Sequence, residues 1–461
     1  MRIVSISDTL GGGRRELEAR ESGDVGIYAC GPTVYGRIHI GNARPYVIFT
    51  LLKRFLEHEG QRAKLVINVT DVNDKIYDAA REEGVPSAEW AERMTAAYVE
   101  DTDRLGIGRP DAEPLATETI DGIVALISDL VDGGHAYESG GDVYFRVRSF
   151  DGYGKLSNRD TDDMDQGEEA GTASLKEDPL DFALWKGAKE GEDVSWPSPW
   201  GDGRPGWHIE CSAMAEAELG PDFAIHGGGS DLVFPHHENE IAQTEAARGV
   251  PLASIWMHNG MVQLDKEKMS KSVGNIFQLS QALDRYGPEA VVAFLASGHY
   301  RQPLAFSDEL LEESKARVAG LRNYIRTRTS SASRPGVRGA DPEVLDSFVQ
   351  SKKDEFLDAL ADDFNTPRAF AAIAEIVAEG NRRELPGARG ALEDLLPLLG
   401  LDSLLAEEEG ADPEAERLLA ERQEARAAKD FERSDAIRDE LAALGWEVRD
   451  ESGGARLVRR A

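Results

Sequence analysis

With 461 residues, 41% of them hydrophobic, and no apolar run of about 18 residues, the chain is predicted to be a globular protein of several domains without a membrane span. The N-terminus lacks the apolar core of a signal peptide, which predicts a cytoplasmic location. The formal net charge of -33 argues against a nucleic-acid partner unless the acidic surface is an adaptation to salt, and the even spread of acidic residues favours that halophilic interpretation.

The first predicted elements form a strand–helix–strand unit. Val25–Cys30 is typical of a short buried strand, and a Gly-Pro turn follows it. Apolar residues at helical spacing predict a helix over Gly41–Glu59, and Lys64–Thr70 is typical of a second buried strand. Such a unit is right-handed and belongs to a parallel sheet, whose ligands bind beyond the carboxyl ends of the strands.

The junction between the first strand and the helix carries the sequence Arg-Ile-His-Ile-Gly-Asn at residues 37–42. A helix N-terminus presents free backbone N–H groups and a positive dipole end, so it attracts phosphate. Gly41 would let a nucleotide approach the backbone, and His39 could hydrogen-bond a phosphate oxygen. Alone, this motif is weak, because a histidine at a helix start is more often a cap than a catalyst.

Later elements divide the chain. Short strands alternate with acidic loops from about residue 120 to 200, strand–helix order resumes near Gly206, and the chain is mainly helical from Ser307. We therefore predict an α/β fold in which an insertion splits a Rossmann-type parallel sheet, followed by a helical bundle and a small C-terminal domain. The predicted segments are the first catalytic half 1–120, the insertion 121–200, the second catalytic half 201–262, a lysine-loop segment 263–306, the bundle 307–405 and the C-terminal domain 412–461.

The two cysteines of the chain, Cys30 and Cys211, are far apart in sequence, and a reducing compartment disfavours a disulfide between them. Cys211 lies at the start of one predicted helix, and Pro235–Glu240 starts another. His236 and Glu240 are four residues apart and so share a helical face. Two thiolates, one imidazole and one carboxylate make a plausible tetrahedral zinc shell. His237 is an open alternative to His236 as the ligand.

A lysine cluster stands out in so acidic a chain. Three of the lysines fall at Lys266, Lys268 and Lys271, and Ser272 and Gly274 follow. Mobile ammonium groups can follow the charge that develops on a triphosphate as pyrophosphate leaves. The order of these residues favours this interpretation over a solvated loop.

The motif at residues 37–42 and Lys268–Ser272 together resemble the HIGH and KMSKS signatures of class I aminoacyl-tRNA synthetases, separated by about 230 residues that contain the insertion. Asn42 stands in place of the second histidine of HIGH. The metal constellation, His226–Asp231, Asp181–Lys186 and Ala428–Asp435 resemble cysteinyl-tRNA synthetases in particular, and the resemblance covers nearly the whole chain.

The resemblance implies an ATP-dependent ligase that forms cysteinyl-adenylate and transfers cysteine to the 3′ end of tRNA(Cys). It implies one zinc ion per chain on Cys30, Cys211, His236 and Glu240, with Mg²⁺ accompanying ATP. Phosphate charge would be stabilised by His39, Asn42, Lys268 and Lys271, ATP would also contact Gly41 and Asp231, and cysteine would contact Thr70, Trp207 and His226. The C-terminal domain would read the anticodon, and we expect a monomer.

Two other functions are compatible with parts of the chain. A ligase of the same ancestry joins cysteine to an amino sugar, but it has no need of an anticodon module such as Ala420–Arg460. A catalytically inactive tRNA-binding protein is the second alternative. The intact lysine loop and the complete metal set argue against it.

Overall fold

The computed structural model describes residues 2–18, 24–161, 164, 174–189, 191–264, 267–268, 277–329, 342–406, 413–451 and 454–459. They belong to two compact units, Met1–Leu404 and Leu405–Ala461. The strands are β1 Ser5–Asp8, β2 Gly13–Glu16, β3 Asp24–Ala29, β4 Arg62–Ile67, β5 Ala136–Ser139, β6 Asp142–Phe145, β7 Phe182–Gly187, β8 Gly203–Pro205, β9 Phe223–Gly229, β10 Ala253–Asn259, β11 Val262–Leu264, β12 Glu267–Lys268, β13 Leu304–Phe306, β14 Trp446–Glu451 and β15 Gly454–Arg459.

The helices are α1 Ile40–His58, α2 Asp74–Glu83, α3 Ser87–Asp103, α4 Ile120–Asp132, α5 Trp207–Leu219, α6 Glu238–Arg248, α7 Leu279–Tyr286, α8 Pro288–Leu295, α9 Asp308–Thr329, α10 Pro342–Ala361, α11 Thr366–Arg382, α12 Ala388–Leu395, α13 Pro413–Ala427 and α14 Phe431–Ala443. Within the described ranges, none of them combines the length and the apolar composition that crossing a membrane requires.

The centre of the first unit is a four-stranded parallel sheet in the order β10-β9-β3-β4. Helix α1 connects β3 to β4 and α6 connects β9 to β10, so the two halves of the sheet come from two distant parts of the sequence. A Cβ atom on Gly227 of β9 would lie 2.0 Å from the ring of Phe49 on α1, so only glycine permits this close packing. The predicted α/β fold class is confirmed.

The insertion carries an antiparallel sheet in the order β5-β6-β7-β8, packed against α4. Its core stacks Phe145 on Phe182 with ring centroids 5.0 Å apart. The insertion is also fastened to α6, because the buried carboxylate of Glu238 accepts hydrogen bonds from the backbone N–H of Gly154 at 3.0 Å and of Ser157 at 2.8 Å. The Ser157 hydroxyl also donates a hydrogen bond to the Glu238 carboxylate at 2.7 Å.

A polar junction ties the N-terminal strand to the helical region. Asp363, in the turn between α10 and α11, has a left-handed backbone with a φ of 62° and is 1% exposed. Its carboxylate accepts bonds from the backbone N–H of Ser7 at 2.8 Å, from the Ser7 hydroxyl at 2.7 Å and from the Tyr300 hydroxyl at 2.7 Å. The chain after Ser307 is mainly helical in the described ranges, as predicted.

The second unit consists of α13, α14 and the antiparallel hairpin β14–β15. Trp446 is only 6% exposed and packs with Leu418, Ile437 and Leu441 in the core of this unit. Phe431, at the start of α14, is 63% exposed. The aromatic ring offered to solvent is therefore Phe431, whereas Trp446 holds the unit together.

Candidate active site and metal centre

A cavity of about 510 Å³ opens at the carboxyl edge of the parallel sheet. This is the edge at which open α/β sheets bind their ligands. Both sequence halves of the parallel sheet contribute to its lining. The lining includes Cys30, Tyr35, Arg37, His39, Gly41, Asn42, Lys75, Trp207, Asp231 and Gly260.

His39 and Asn42 begin helix α1 with a reciprocal pair of hydrogen bonds. The Asn42 backbone N–H donates to His39 Nδ1 at 3.2 Å, and the His39 backbone N–H donates to Asn42 Oδ1 at 3.1 Å. Asn42 is therefore part of a capping box in this structure. A Cβ atom on Gly41 would lie 2.9 Å from His39 Nδ1, so a larger residue here would displace the His39 ring.

The four predicted metal ligands converge in one buried cluster. Cys30 Sγ lies 3.8 Å from Cys211 Sγ, 3.5 Å from His236 Nε2 and 3.6 Å from Glu240 Oε1. The His236 and Glu240 atoms are 3.1 Å apart. Ligands about 2.0–2.3 Å from a tetrahedral ion are separated by roughly 3.3–3.8 Å, so the cluster has close to the size that a zinc site needs.

The cluster is rich in groups that would carry negative charge. Burial, together with the neighbouring Cys211 and Glu240, raises the pKa of Cys30 well above its usual value. The hydrogen bond with Cys30 lowers the pKa of Cys211, but burial and the nearby Glu240 and Glu210 outweigh it, so this pKa is raised as well. Without a cation the thiols would stay protonated, whereas a metal ion would favour the thiolates. The donor set is compatible with a metal site.

A second, overlapping donor set contains Cys30, His226, His237 and Glu240. His237 Nε2 lies 3.4 Å from Cys30 Sγ and 3.9 Å from Glu240 Oε1. This set has one thiol sulfur, whereas the first set has both cysteine sulfurs of the chain. Because zinc binds thiolate strongly, the set with Cys211 is the better zinc site.

Neighbouring rings fix the orientation of His236. Its Nδ1 lies 2.9 Å from His208 Nδ1, and the Trp207 ring stacks on it with centroids 4.4 Å apart. Burial lowers the pKa of both His208 and His236 to about 3, which keeps their rings neutral at ordinary pH. A neutral imidazole is the form that binds a metal. Sequence reasoning missed His208 although it lies inside the Trp207–Cys211 segment.

The helix predicted to start at Pro235 starts later. Residues Val233–His237 form a π-helical turn with an extended residue, Phe234, and α6 begins at Glu238. Phe234 is extended because a residue before proline is pushed out of the helical region, and Phe234 is the one residue of this turn with a non-helical backbone. His236 still reaches Glu240, because the turn carries it onto the same side as the carboxylate.

Not every predicted ligand contact lines the cavity. Asp231 and Trp207 do, but Thr70 and His226 are fully buried and are not among the lining residues. Thr70 accepts a bond from Asn68 Nδ2 at 3.4 Å, and His226 Nε2 lies 2.8 Å from Glu240 Oε2. The backbone of Lys268 lies in β12, while its side chain and the whole of Lys271 lie outside the described part of the chain.

The sequence matches three family models. The model described as tRNA synthetases class I (C) catalytic domain covers residues 16–316. The chain belongs to the cysteinyl-tRNA synthetase family. The DALR domain model matches residues 355–401, and the model of the cysteinyl-tRNA ligase anticodon binding domain matches residues 408–457. The predicted family is confirmed, and with it the prediction of a ligase.

Relatives agree over the whole length. The cysteine–tRNA ligase of Caldicellulosiruptor saccharolyticus is 44% identical over 99% of this chain and 100% of its own. That of Azotobacter vinelandii is 46% identical over 98% of both chains. In structure, the chain is similar to Mycobacterium tuberculosis methionyl-tRNA synthetase in complex with methionyl-adenylate, with a TM-score of 0.61, 17% identity, and 83% and 88% of the two chains covered. This last similarity concerns the fold alone.

Proposed function

We propose that the protein activates cysteine with ATP and transfers it to its tRNA, as members of the cysteinyl-tRNA synthetase family do. The observation that supports this most directly is the convergence of Cys30, Cys211, His236 and Glu240 beside the cavity that the N-terminus of α1 also lines. A thiol-binding centre and a phosphate-binding helix end in one cavity suit the joining of a thiol amino acid to a nucleotide.

The metal in this proposal is one zinc ion per chain, held by the four-residue cluster. When bound, zinc would supply a Lewis acid that binds the cysteine thiol as thiolate, a bond that serine cannot make equally well. The protein's own part is positional: Trp207 and His208 hold the His236 ring, and His226 holds the Glu240 carboxylate. We therefore propose Trp207 as a cysteine contact, and His226 as a residue that acts through Glu240.

For ATP, we propose that the backbone at Gly41 and the side chains of His39 and Asn42 meet the phosphates, with Mg²⁺ accompanying the nucleotide. Asp231, which lines the same cavity, is the proposed contact of the ribose hydroxyls. Lys268 and Lys271 are proposed to stabilise the leaving pyrophosphate. The enzyme's work is then mostly positioning and electrostatics, without a covalent enzyme intermediate.

For tRNA, we propose that residues 412–461 read the anticodon. The exposed ring of Phe431 supports this, because unpaired bases stack on solvent-facing aromatic rings. We retain the division into segments 1–120, 121–200, 201–262, 263–306 and 307–405, which is supported by the element order. A monomeric state and adaptation to salt remain predictions from the sequence.

Pyrophosphate exchange with cysteine or serine, followed by transfer to tRNA or to an amino sugar, tests this proposal. We expect exchange that depends on cysteine, preference over serine by about 10⁴-fold, and transfer to tRNA alone. Zinc-replete protein without cysteine-dependent exchange would contradict the proposed enzyme. Transfer to the amino sugar in place of tRNA would assign the chain to the related ligase.

A further inference from the structure

One cation in the cavity has no part in the chemistry described so far. Lys75, at the start of α2, lines the cavity, and its Nζ lies 5.6 Å from the centroid of the Tyr35 ring, which lines the same cavity. Tyr35 belongs to the loop between β3 and α1, and its carbonyl accepts a hydrogen bond from Trp90 Nε1 at 3.2 Å. The aromatic ring is thus carried on a backbone that α3 holds in place.

Two acidic residues of this region are paired with other cations. Arg37, which also lines the cavity, donates to both oxygens of the buried Asp101 carboxylate at 2.9 and 3.1 Å. The neighbouring Asp74 is paired with Lys186 at 3.0 Å and with Arg204. These carboxylates therefore do not need Lys75 as a partner, and its positive charge can interact with an anion that enters the cavity.

Other lysines of this acidic chain are placed differently. Lys53 lies 2.8 Å from Asp111, Lys64 lies 2.8 Å from Glu218, and Lys353 lies 2.7 Å from Asp394. No ion pair of Lys75 is recorded among the described residues. In a protein of net charge -33, a cavity lysine whose neighbour is a ring and not a carboxylate is well suited to bind an anion.

We propose that Lys75 and Tyr35 bind the single-stranded 3′ end of the tRNA, with a backbone phosphate on Lys75 and a base against the Tyr35 ring. This inference rests on the proposed function, and it adds a binding site for the second substrate. A cation beside an aromatic ring is the combination by which proteins hold single-stranded nucleic acid, because the ring takes the base and the cation takes the backbone.

ATP is the other source of phosphate in the cavity, and the placement of Lys75 favours tRNA. The proposed ATP contacts lie at the N-terminus of α1, which follows β3, whereas Lys75 begins α2, which follows β4. ATP carries a single base, which is attached to its ribose, and the proposed ribose contact is Asp231. A nucleotide chain that enters through the mouth of the cavity offers both a base and a phosphate.

The test compares binding of intact tRNA and of tRNA lacking its unpaired 3′ nucleotides to Lys75→Met, Tyr35→Leu and Tyr35→Phe variants. For intact tRNA, we expect the dissociation constant to rise by about 10-fold in Lys75→Met and in Tyr35→Leu, with Tyr35→Phe near wild type. Truncated tRNA should bind wild type and Lys75→Met equally. The slope of log affinity against log salt should fall by about 0.7 in Lys75→Met. Lys189→Met, which removes an exposed lysine outside the cavity lining, is the control of equal charge.

Three outcomes would overturn the inference. A Lys75→Met variant that binds intact tRNA like wild type would make Lys75 a solvated lysine. Equal weakening for intact and truncated tRNA would locate its contact elsewhere on the tRNA. A raised KM for ATP in cysteine-dependent exchange, with tRNA binding unchanged, would assign the site to ATP. Because tRNA binding is measured without turnover, failure of the proposed ligase activity would be seen separately.

Discussion

Two buried polar centres of the catalytic unit differ in what surrounds their acceptor atoms. At Asp363, the chain itself supplies donors to both carboxylate oxygens, from Ser7 and Tyr300. In the cluster of Cys30 and Glu240, four groups that can bind a metal ion face one another, and burial raises the pKa of the Cys30 thiol. At the first centre, the protein itself satisfies the buried carboxylate. The second centre is compatible with a bound cation.

The comparison separates a structural role from a binding role by asking whether the protein itself supplies hydrogen-bond partners to its buried polar atoms. Burying a polar group costs free energy unless it is hydrogen-bonded, so the protein completes the Asp363 joint itself. A buried cluster of two thiols, an imidazole and a carboxylate is compatible with a bound metal ion, which would favour the thiolates. Substitutions in the two centres should therefore have opposite signatures in metal content and in stability.

The largest effect is expected for Cys211→Ala. This variant removes one of the two sulfurs, and zinc should fall from one per chain to near zero, with cysteine activation reduced by about 10³-fold or more. Metal analysis and pyrophosphate exchange measure the two quantities. Stoichiometric zinc in the variant would show that the ion is held by the alternative set containing His226 and His237.

His208→Ala is expected to have an intermediate effect. His208 touches His236 and not the donor atoms of the cluster, so its loss should loosen the orientation of the ring without removing a ligand. Zinc affinity, measured by competition with a chelator, should fall about 10- to 100-fold while stoichiometry at excess zinc stays at one. Unchanged affinity would mean that packing by Trp207 suffices to orient His236.

Asp363→Asn should change stability and leave the metal alone. Asparagine tolerates the left-handed backbone at this position, but it has one acceptor oxygen for the donors that now share two. We expect a loss of roughly 1–3 kcal/mol in the free energy of unfolding. Denaturant titration measures it, with zinc content as the control. A drop in zinc would show that the two centres are coupled.

The difference in unfolding free energy between wild type and Asp363→Asn should also depend on pH. Burial raises the pKa of Asp363, but the hydrogen bonds from Tyr300 and Ser7 outweigh it, so the folded-state pKa is lowered. A lowered pKa contributes stability above the unfolded value of about 3.9, and this contribution is lost as pH falls through the folded value. The stability gap between wild type and Asp363→Asn should therefore narrow as pH falls below about 4. A constant gap would mean that the charge is not what stabilises the junction.

The smallest effect is expected for Arg301→Ala at the rim of the same junction. Arg301 Nη1 lies 2.9 Å from the Ser7 hydroxyl and 3.5 Å from Asp363 Oδ2, but its side chain is 53% exposed. Solvent screens such a pair, so we expect a loss below about 1 kcal/mol in the same titration. A loss as large as that of Asp363→Asn would mean that exposure does not decide the strength of contacts here.

The sequence predicted the features that depend on local pattern. Strand β3 and helix α1 lie within one residue of their predicted bounds, because apolar spacing is a local signal. The four-residue metal set was expected from the resemblance to a family, and these residues meet in the structure. The pairing of His208 with His236 depends on how two helices approach each other, so no local pattern could predict it. The burial of Thr70 behind the cavity is likewise a result of the packing.

The hydrogen bonds of Glu238 should hold the insertion in place even if the backbone is cut at one point within it. Glu238, which follows the insertion in sequence, accepts hydrogen bonds from Gly154 and Ser157. Strand β6, which precedes residues 161–174, pairs with β7, which follows them. Both fragments of a chain interrupted between residues 161 and 174 would keep these partners. Two separately produced polypeptides, 1–161 and 162–461, should therefore assemble into one working enzyme, with Glu238→Ala weakening their association.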